Sequence, residues 1–217
     1  MVLMICPSLM CADFGNLEQE VKLLEAAGSD IFHVDIMDGR FVPNFGMGLQ
    51  DFDVIRKTTT KLVDVHLMIE QPGDYVAFFA DKGADIIYFH PEADTHPTRT
   101  IDKIRQKKKG VGIAINPGTS IEVVRELLPL IDYLMVMTVN PGFAGQSYLA
   151  SVTDKLRRLT EIKHQHNWTF HLMVDGAISE EKIRELNPLG VEGFVLGTST
   201  LFNQAEAYAE IIQRLKK

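Results

Sequence analysis

Two short stretches of the chain set imidazoles and carboxylates at alternate positions: His33-Val34-Asp35 and Asp64-Val65-His66. In an extended strand, alternate side chains share a face. His33, Asp35 and Met37 therefore lie on one face with Val34 and Ile36 on the other. Asp64, His66 and Met68 likewise lie opposite Val63, Val65 and Leu67. A further acid, Asp175, stands directly before Gly176. His33, Asp35, His66 and Asp175 together offer two imidazoles and two carboxylates. Burying such groups is costly unless each has a partner, and one divalent cation supplies it. Mixed nitrogen and oxygen ligation suits zinc, iron, manganese or cobalt better than calcium or magnesium. Each residue also has a plainer explanation. A single inward His can be satisfied by hydrogen bonds within a core, and Asp64 reads as a structural hydrogen-bonding group in a lower layer.

Met37, Met68 and Met137 fall at comparable places, closing three apolar runs. They are either core filler or a polarizable surface without hydrogen-bonding groups, suited to cover a planar intermediate. Glycines recur after later runs, in Asn140-Pro141-Gly142-Phe143-Ala144-Gly145-Gln146, in Gly176-Ala177 and in Gly197-Thr198-Ser199. They can be simple turn glycines. They can equally let backbone N–H groups approach and cradle a phosphate with no lysine present. The formal net charge of −7 agrees with the second reading. It argues against a nucleic-acid partner and requires any anionic ligand to be held by local features.

These residues need elements to position them. Probable strands run over Met4–Leu9, Asp30–Met37, Leu62–Met68, Asp85–His90, Val111–Asn116, Tyr133–Thr138, Thr169–Asp175 and Gly193–Leu196. Amphipathic segments lie between them. Asn16–Ala27 carries Leu17, Val21 and Leu24 on one stripe. Ser120 and Ser179 can cap helices, and Gly28, Gly83 and Gly190 stand where helices end. Eight strand–helix units of roughly 27 residues would use all 217 residues as one domain spanning 1–217, a single (β/α)8 TIM barrel in the α/β class. A doubly wound open sheet is the competing architecture. In a barrel, chemistry sits at the C-terminal ends of strands, where the candidate ligands fall.

Nearly half of the residues are apolar, as in a globular protein with a substantial core. No apolar run is long enough to span a bilayer, and no export leader is recognisable. The two cysteines, Cys6 and Cys11, form no disulfide framework, so a reducing cytoplasm is the expected location.

The motifs His33-Val-Asp-Ile-Met-Asp-Gly-Arg-Phe-Val-Pro-Asn44, Asp64-Val-His-Leu-Met68, Asn140 to Gln146 and Val174-Asp-Gly176 resemble the ribulose-phosphate 3-epimerase family, in order and spacing across essentially the whole chain. The resemblance implies that His33, Asp35, His66 and Asp175 bind one divalent metal ion, with Asp35 and Asp175 as the acid and base pair. It implies substrate contacts from Ser8, His66, Met37, Met68, Met137 and Asp175. It further implies a phosphate held by Gly142, Phe143, Ala144, Gly145, Gly176, Ala177, Gly197, Thr198 and Ser199. Family members commonly assemble, which implies a homo-oligomer.

Some positions depart from the pentose-phosphate pattern. They are Cys6, Ala144, Ala177 and the ending Gly197-Thr-Ser-Thr-Leu-Phe-Asn203. Ser8-Leu-Met-Cys11, Gly142-Phe-Ala-Gly-Gln146 and the Thr198–Asn203 ending look closer to a D-allulose-6-phosphate 3-epimerase branch. The expected reaction is therefore C3 epimerisation of a phosphorylated ketose, leaning to D-allulose 6-phosphate and D-fructose 6-phosphate. The alternative is D-ribulose 5-phosphate and D-xylulose 5-phosphate. A metal-independent barrel lyase would need a Lys among the strand-end acids, and no Asp-x-Lys pattern occurs there. A non-catalytic sugar-phosphate sensor would not need two acid/base groups.

Overall fold

The structure is a computed structural model that describes residues 3–217. Its strands are β1 (Met4–Pro7), β2 (Ile31–Met37), β3 (Leu62–Met68), β4 (Ile86–Phe89), β5 (Gly110–Ile115), β6 (Tyr133–Met137), β7 (His171–Asp175) and β8 (Gly193–Leu196). Alternating with them are α1 (Leu17–Ala27), α2 (Leu49–Thr58), α3 (Val76–Lys82), α4 (Pro97–Gln106), α5 (Ile121–Val124), α6 (Ser151–Gln165), α7 (Glu180–Leu186) and α8 (Tyr208–Leu215). All strand pairs are parallel, in the order β1-β8-β7-β6-β5-β4-β3-β2. β1 and β2 are joined by an isolated bridge between Ser8 and His33, and lower down by Asp30 N–H donating to the Ile5 carbonyl at 2.9 Å. The result is a single, nearly closed (β/α)8 TIM barrel, not an open sheet.

Strand alternation sorts the side chains into two layers. Val34, Val63, Val65, Leu67, Ile87, Ile113, Val136, Val174 and Phe194 face outward and pack under the helices in one continuous apolar cluster. Cys6, Ile31, Tyr88, Ala114, Met135, Met173 and Val195 fill the barrel interior. The interior tolerates bulk only where a neighbour is small. A Cβ at Gly112 would sit 2.3 Å from Tyr88 Cδ1, so the glycine makes room for that ring. On the outside, α1 buries Leu17, Val21 and Leu24, each worth about 1.5–3 kcal/mol. The helix ends at Gly28 with φ of 98°, a left-handed turn that favours glycine.

Two expected strand starts shift by one residue for one physical reason. Asp30 and Asp85 stand just before β2 and β4, not within them, as Asp132 does before β6. Each uses its carboxylate to finish a neighbouring ladder. Asp30 Oδ2 accepts from Ile5 N–H (2.8 Å), Asp85 Oδ2 from Val63 N–H (2.9 Å) and Asp132 Oδ2 from Val111 N–H (2.8 Å). At the other end, β1 stops at Pro7 because Leu9–Cys11 turns into a single 3-10 turn.

Ser179 caps α7 by accepting from Lys182 N–H. Ser120 makes no such side-chain bond, and its helix lasts only four residues before a 3-10 segment, Arg125–Leu130. Pro129 lies inside that segment and has no N–H to continue an α-helical ladder.

Candidate metal centre and active site

β2 and β3 pair so that Asp35 lies beside His66 and His33 beside Asp64. This register brings the two His/Asp alternations together inside the barrel. His33 Nε2 and His66 Nδ1 each lie 3.3 Å from Asp35 Oδ1, and His66 Nδ1 lies 3.8 Å from Asp175 Oδ2. One ligand atom from each of His33, Asp35, His66 and Asp175 falls within 4.8 Å of the others. Among the described residues this is the His/Asp grouping suited to a metal ion.

The donor set fits such an ion. His33 Nε2 and His66 Nδ1 are fully buried and have no hydrogen-bond partner, a costly condition for polar atoms that a cation removes. Tetrahedral ligands at about 2.0 Å from zinc stand about 3.3 Å apart, which matches the spacing around Asp35 Oδ1. Asp64 belongs, as expected, to a lower layer: it is fully buried, and its Oδ1 lies 2.5 Å from His33 Nδ1.

The two proposed acid/base groups sit in unlike surroundings. Burial works to raise the Asp35 carboxyl, but His33 and His66 beside it hold it well below the usual carboxylate range. Ser8 Oγ donates to Asp35 Oδ2 at 2.7 Å. Burial, reinforced by the Asp35 charge, pushes Asp175 up to about 7. A pair of carboxyls driven apart in this way is a common sign of divided acid and base roles.

A cavity opens over Asp35 and Asp175. Ser8, Met37, Met68 and Met137 line it, as do Gly142, Phe143, Ala144 and Gly145, Gly176 and Ala177, and Gly197, Thr198 and Ser199. His66 does not. It is fully buried behind the carboxylates, so a direct substrate contact from it has no support in the cavity wall. Met10, Cys11, Pro141 and Gln146, which the sequence placed in motifs without a site role, also line the cavity, as do Val139 and Val195, which it did not single out. Met10 and Cys11 arrive through the 3-10 turn after Ser8, which the run Met4–Leu9 conceals.

The glycine loops are built for backbone presentation. Gly142, Gly145 and Gly176 hold φ of 118°, 78° and 112°. A Cβ on Gly176 would stand 2.5 Å from Val139 Cγ2. Thr138 fixes this strand end by donating its N–H (2.8 Å) and hydroxyl (3.0 Å) to the Asp175 carbonyl. After β8, Leu201 and Phe202 N–H close back on the Gly197 carbonyl. Thr198 and Ser199 thus open a helical turn at the cavity wall, where amides have no partner within the turn. From the other side, Asn44 Nδ2 donates to the Gly142 carbonyl at 2.6 Å and ties the β2–α2 loop to the β6–α6 loop.

A family model described as the ribulose-phosphate 3 epimerase family matches residues 4–202. The chain belongs to that family. Ribulose-phosphate 3-epimerase from Synechocystis sp. is 41% identical over 212 residues, covering 97% of this chain and 91% of the relative. Ribulose-5-phosphate-3-epimerase, chloroplastic, from Arabidopsis thaliana is 37% identical over 219 residues, covering 99% of this chain and 76% of the relative. Among solved structures, 3-hexulose-6-phosphate synthase from Salmonella typhimurium superposes with a TM-score of 0.70 at 19% identity, covering 99% of this chain and 96% of that one. At that identity the likeness concerns the fold alone.

For this member of the ribulose-phosphate 3-epimerase family, the relatives' names favour the pentulose alternative over the hexulose lean. Of the departures from the pentose-phosphate pattern, Cys6 lies outside the cavity, whereas Cys11, Ala144, Ala177, Thr198 and Ser199 line it. Cys6 is fully buried in the barrel interior and away from the cavity wall. Ala144 and Ala177 each add only a methyl group relative to glycine. No helix among the described residues is long and apolar enough to cross a membrane.

Proposed function

We propose that this protein interconverts D-ribulose 5-phosphate and D-xylulose 5-phosphate by inverting C3. The observation that carries the reading is the placement of Asp35 and Asp175, from β2 and β7, on the wall of one cavity rimmed by glycine loops. The relatives' names supply the substrate length.

Inversion requires a proton to leave C3 on one face and another to arrive on the opposite face. One carboxylate removes the C3 proton, and the electron pair moves onto the C2 carbonyl oxygen to give an enediolate. The other carboxyl, protonated, then delivers its proton to C3, and the two exchange roles in the reverse direction. No net redox change occurs. A divalent cation held by His33, Asp35, His66 and Asp175, whether zinc, iron, manganese or cobalt, would supply positive charge beside the C2 and C3 oxygens.

Ser8 orients Asp35 through its hydroxyl. Met37, Met68 and Met137 exclude water and offer no hydrogen bond that could divert the intermediate. Backbone amides of Gly142 to Gly145, Gly176-Ala177 and Gly197 to Ser199 hold the phosphate. This suits a protein of net charge −7.

The reading extends to self-association: exposed Leu49, Tyr75 and Phe78 border one apolar groove beside the rim. Cys6 and Cys11 are unpaired, which supports residence in a reducing compartment such as the cytoplasm.

The test is kcat/KM measured on D-ribulose 5-phosphate and on D-allulose 6-phosphate, since selectivity is the ratio of the two. The pentulose is expected to be the better substrate. Equal or faster turnover of the hexulose overturns the assignment, and turnover of neither favours a sensor.

A further inference from the structure

His90 has no role in the scheme above and does not line the cavity. It follows Phe89, the last residue of β4, and is fully buried. His66 Nδ1 faces Asp35 and Asp175, while its Nε2 lies 2.9 Å from His90 Nε2. The two rings are stacked, with centroids 5.1 Å apart and planes at 26°. Phe41 from the β2–α2 loop packs against His90 at 4.8 Å. His90 Nδ1 lies 3.5 Å from Glu92 Oε2.

Glu92 is itself anchored. Its Oε1 accepts from Asn116 N–H (2.9 Å) and from the Thr119 hydroxyl (2.5 Å). The buried Lys155 of α6 fastens that same loop by donating to the carbonyls of Asn116 (3.1 Å), Pro117 (2.5 Å) and Thr119 (2.7 Å).

Two buried imidazole nitrogens 2.9 Å apart share one proton. If the His66 Nδ1 lone pair is to meet a cation, neutral His66 must carry its proton on Nε2. His90 Nε2 must then accept it, which leaves the His90 proton on Nδ1, facing the Glu92 carboxylate. We infer that His90 and Glu92 are positioning residues: through their contact with His66 they fix the tautomer that aims its Nδ1 lone pair at the centre of the His33, Asp35, His66 and Asp175 cluster. This rests on reading that cluster as a metal site. His33 is set the opposite way, with Nδ1 against Asp64 and Nε2 towards the cluster. One ligand is oriented directly by a carboxylate, the other by a relay through a second imidazole.

The test is metal affinity, read independently of turnover. Metal-free protein is titrated with Co2+ against a competing chelator and followed by the visible absorption of the bound ion. His90→Phe keeps a flat ring of similar bulk but removes the acceptor, and affinity is expected to fall about 10- to 100-fold. His90→Gln restores an acceptor and is expected to recover most of that loss, whereas a residue that merely fills space would give no such rescue. Glu92→Gln is expected to weaken Co2+ by a smaller factor. It should also shift the side-chain 15N resonances of His66 from a single Nε2–H tautomer towards a mixture.

Wild-type affinity in His90→Phe, or His90→Gln as weak as His90→Phe, overturns the relay. Should His90→Phe fail to fold, unchanged affinity and an unchanged His66 tautomer in Glu92→Gln overturn it instead. A wild-type protein that takes up no Co2+ defeats the metal-site reading itself. Tight wild-type binding with insensitive variants defeats only the relay.

Discussion

At the N-terminal ends of the strands, Asp30, Asp85 and Asp132 each give a carboxylate oxygen to a backbone N–H of the neighbouring strand. At the C-terminal ends, Asp35 and Asp175 face imidazoles and an open cavity instead. The residue type is the same and both groups adjoin β-strands, but the first is committed to the ladder, whereas the second, with no backbone amide of a neighbouring strand to satisfy, is the pair proposed above for proton transfer. At the base, Arg56 Nη1 and Lys216 Nζ add ion pairs to Asp85 and Asp30, each at 2.7 Å. At the rim, burial and, after it, the neighbouring Asp35 charge raise the Asp175 carboxyl. An acid whose oxygens are taken by the backbone builds the fold, while an acid held against other titratable groups is available for proton transfer.

The sharpest way to break this contrast is to neutralise one acid at each end. Asp35→Asn and Asp175→Asn are each expected to lower kcat/KM by roughly 10^3-fold or more. Solvent deuterium entry at C3 measures this, and thermal stability of the metal-free protein should hold or rise. Normal epimerisation by either variant would remove the two-carboxylate scheme. Asp85→Ala should do the reverse. It leaves Val63 N–H without its acceptor and takes the carboxylate from Arg56, which keeps the Thr59 and Lys61 carbonyls, and should cost about 1–3 kcal/mol in chemical denaturation, with kcat/KM unchanged. Loss of activity without loss of stability would mean that the base of the barrel is coupled to the rim.

The smallest effect is expected at Ala177, a non-glycine residue at φ of 51°. Ala177→Gly relieves left-handed strain but loosens the unfolded chain, so it should stabilise by at most about 1 kcal/mol. KM should stay within about twofold if the phosphate is held there by backbone, as proposed.

The rim was more legible in the sequence than the base. His33-Val34-Asp35 and Asp64-Val65-His66 announce their faces through the period of two, and Asp175 is marked by the glycine after it. Asp30 and Asp85 read as strand residues because nothing local distinguishes a carboxylate that pairs within a ladder from one that finishes it. His90 was visible only as a histidine at the end of an apolar run. Its role depends on the β3–β4 register, which sets His66 beside Tyr88 and lets His90, two residues on, stack against it. Period reveals a face, whereas lateral register is a long-range property that no local pattern encodes. Pro129 could have warned that the helix after Ser120 would be short, since the ring cannot donate to the ladder.

Every junction between neighbouring strands is a continuous parallel ladder except the one between β1 and β2, where the join is a bridge from Ser8 to His33 and, lower down, the contacts of Asp30 with Ile5. The barrel's weakest seam thus runs between a proposed ligand and the serine whose hydroxyl reaches Asp35. That serine-to-aspartate bond is a stitch across the seam. On the reading proposed above, an occupant of the centre would engage both edges, so filling the site would favour the closed barrel by mass action. The first strand, which supplies neither a proposed metal ligand nor a proton-transfer group, would then owe part of its attachment to the bound substrate.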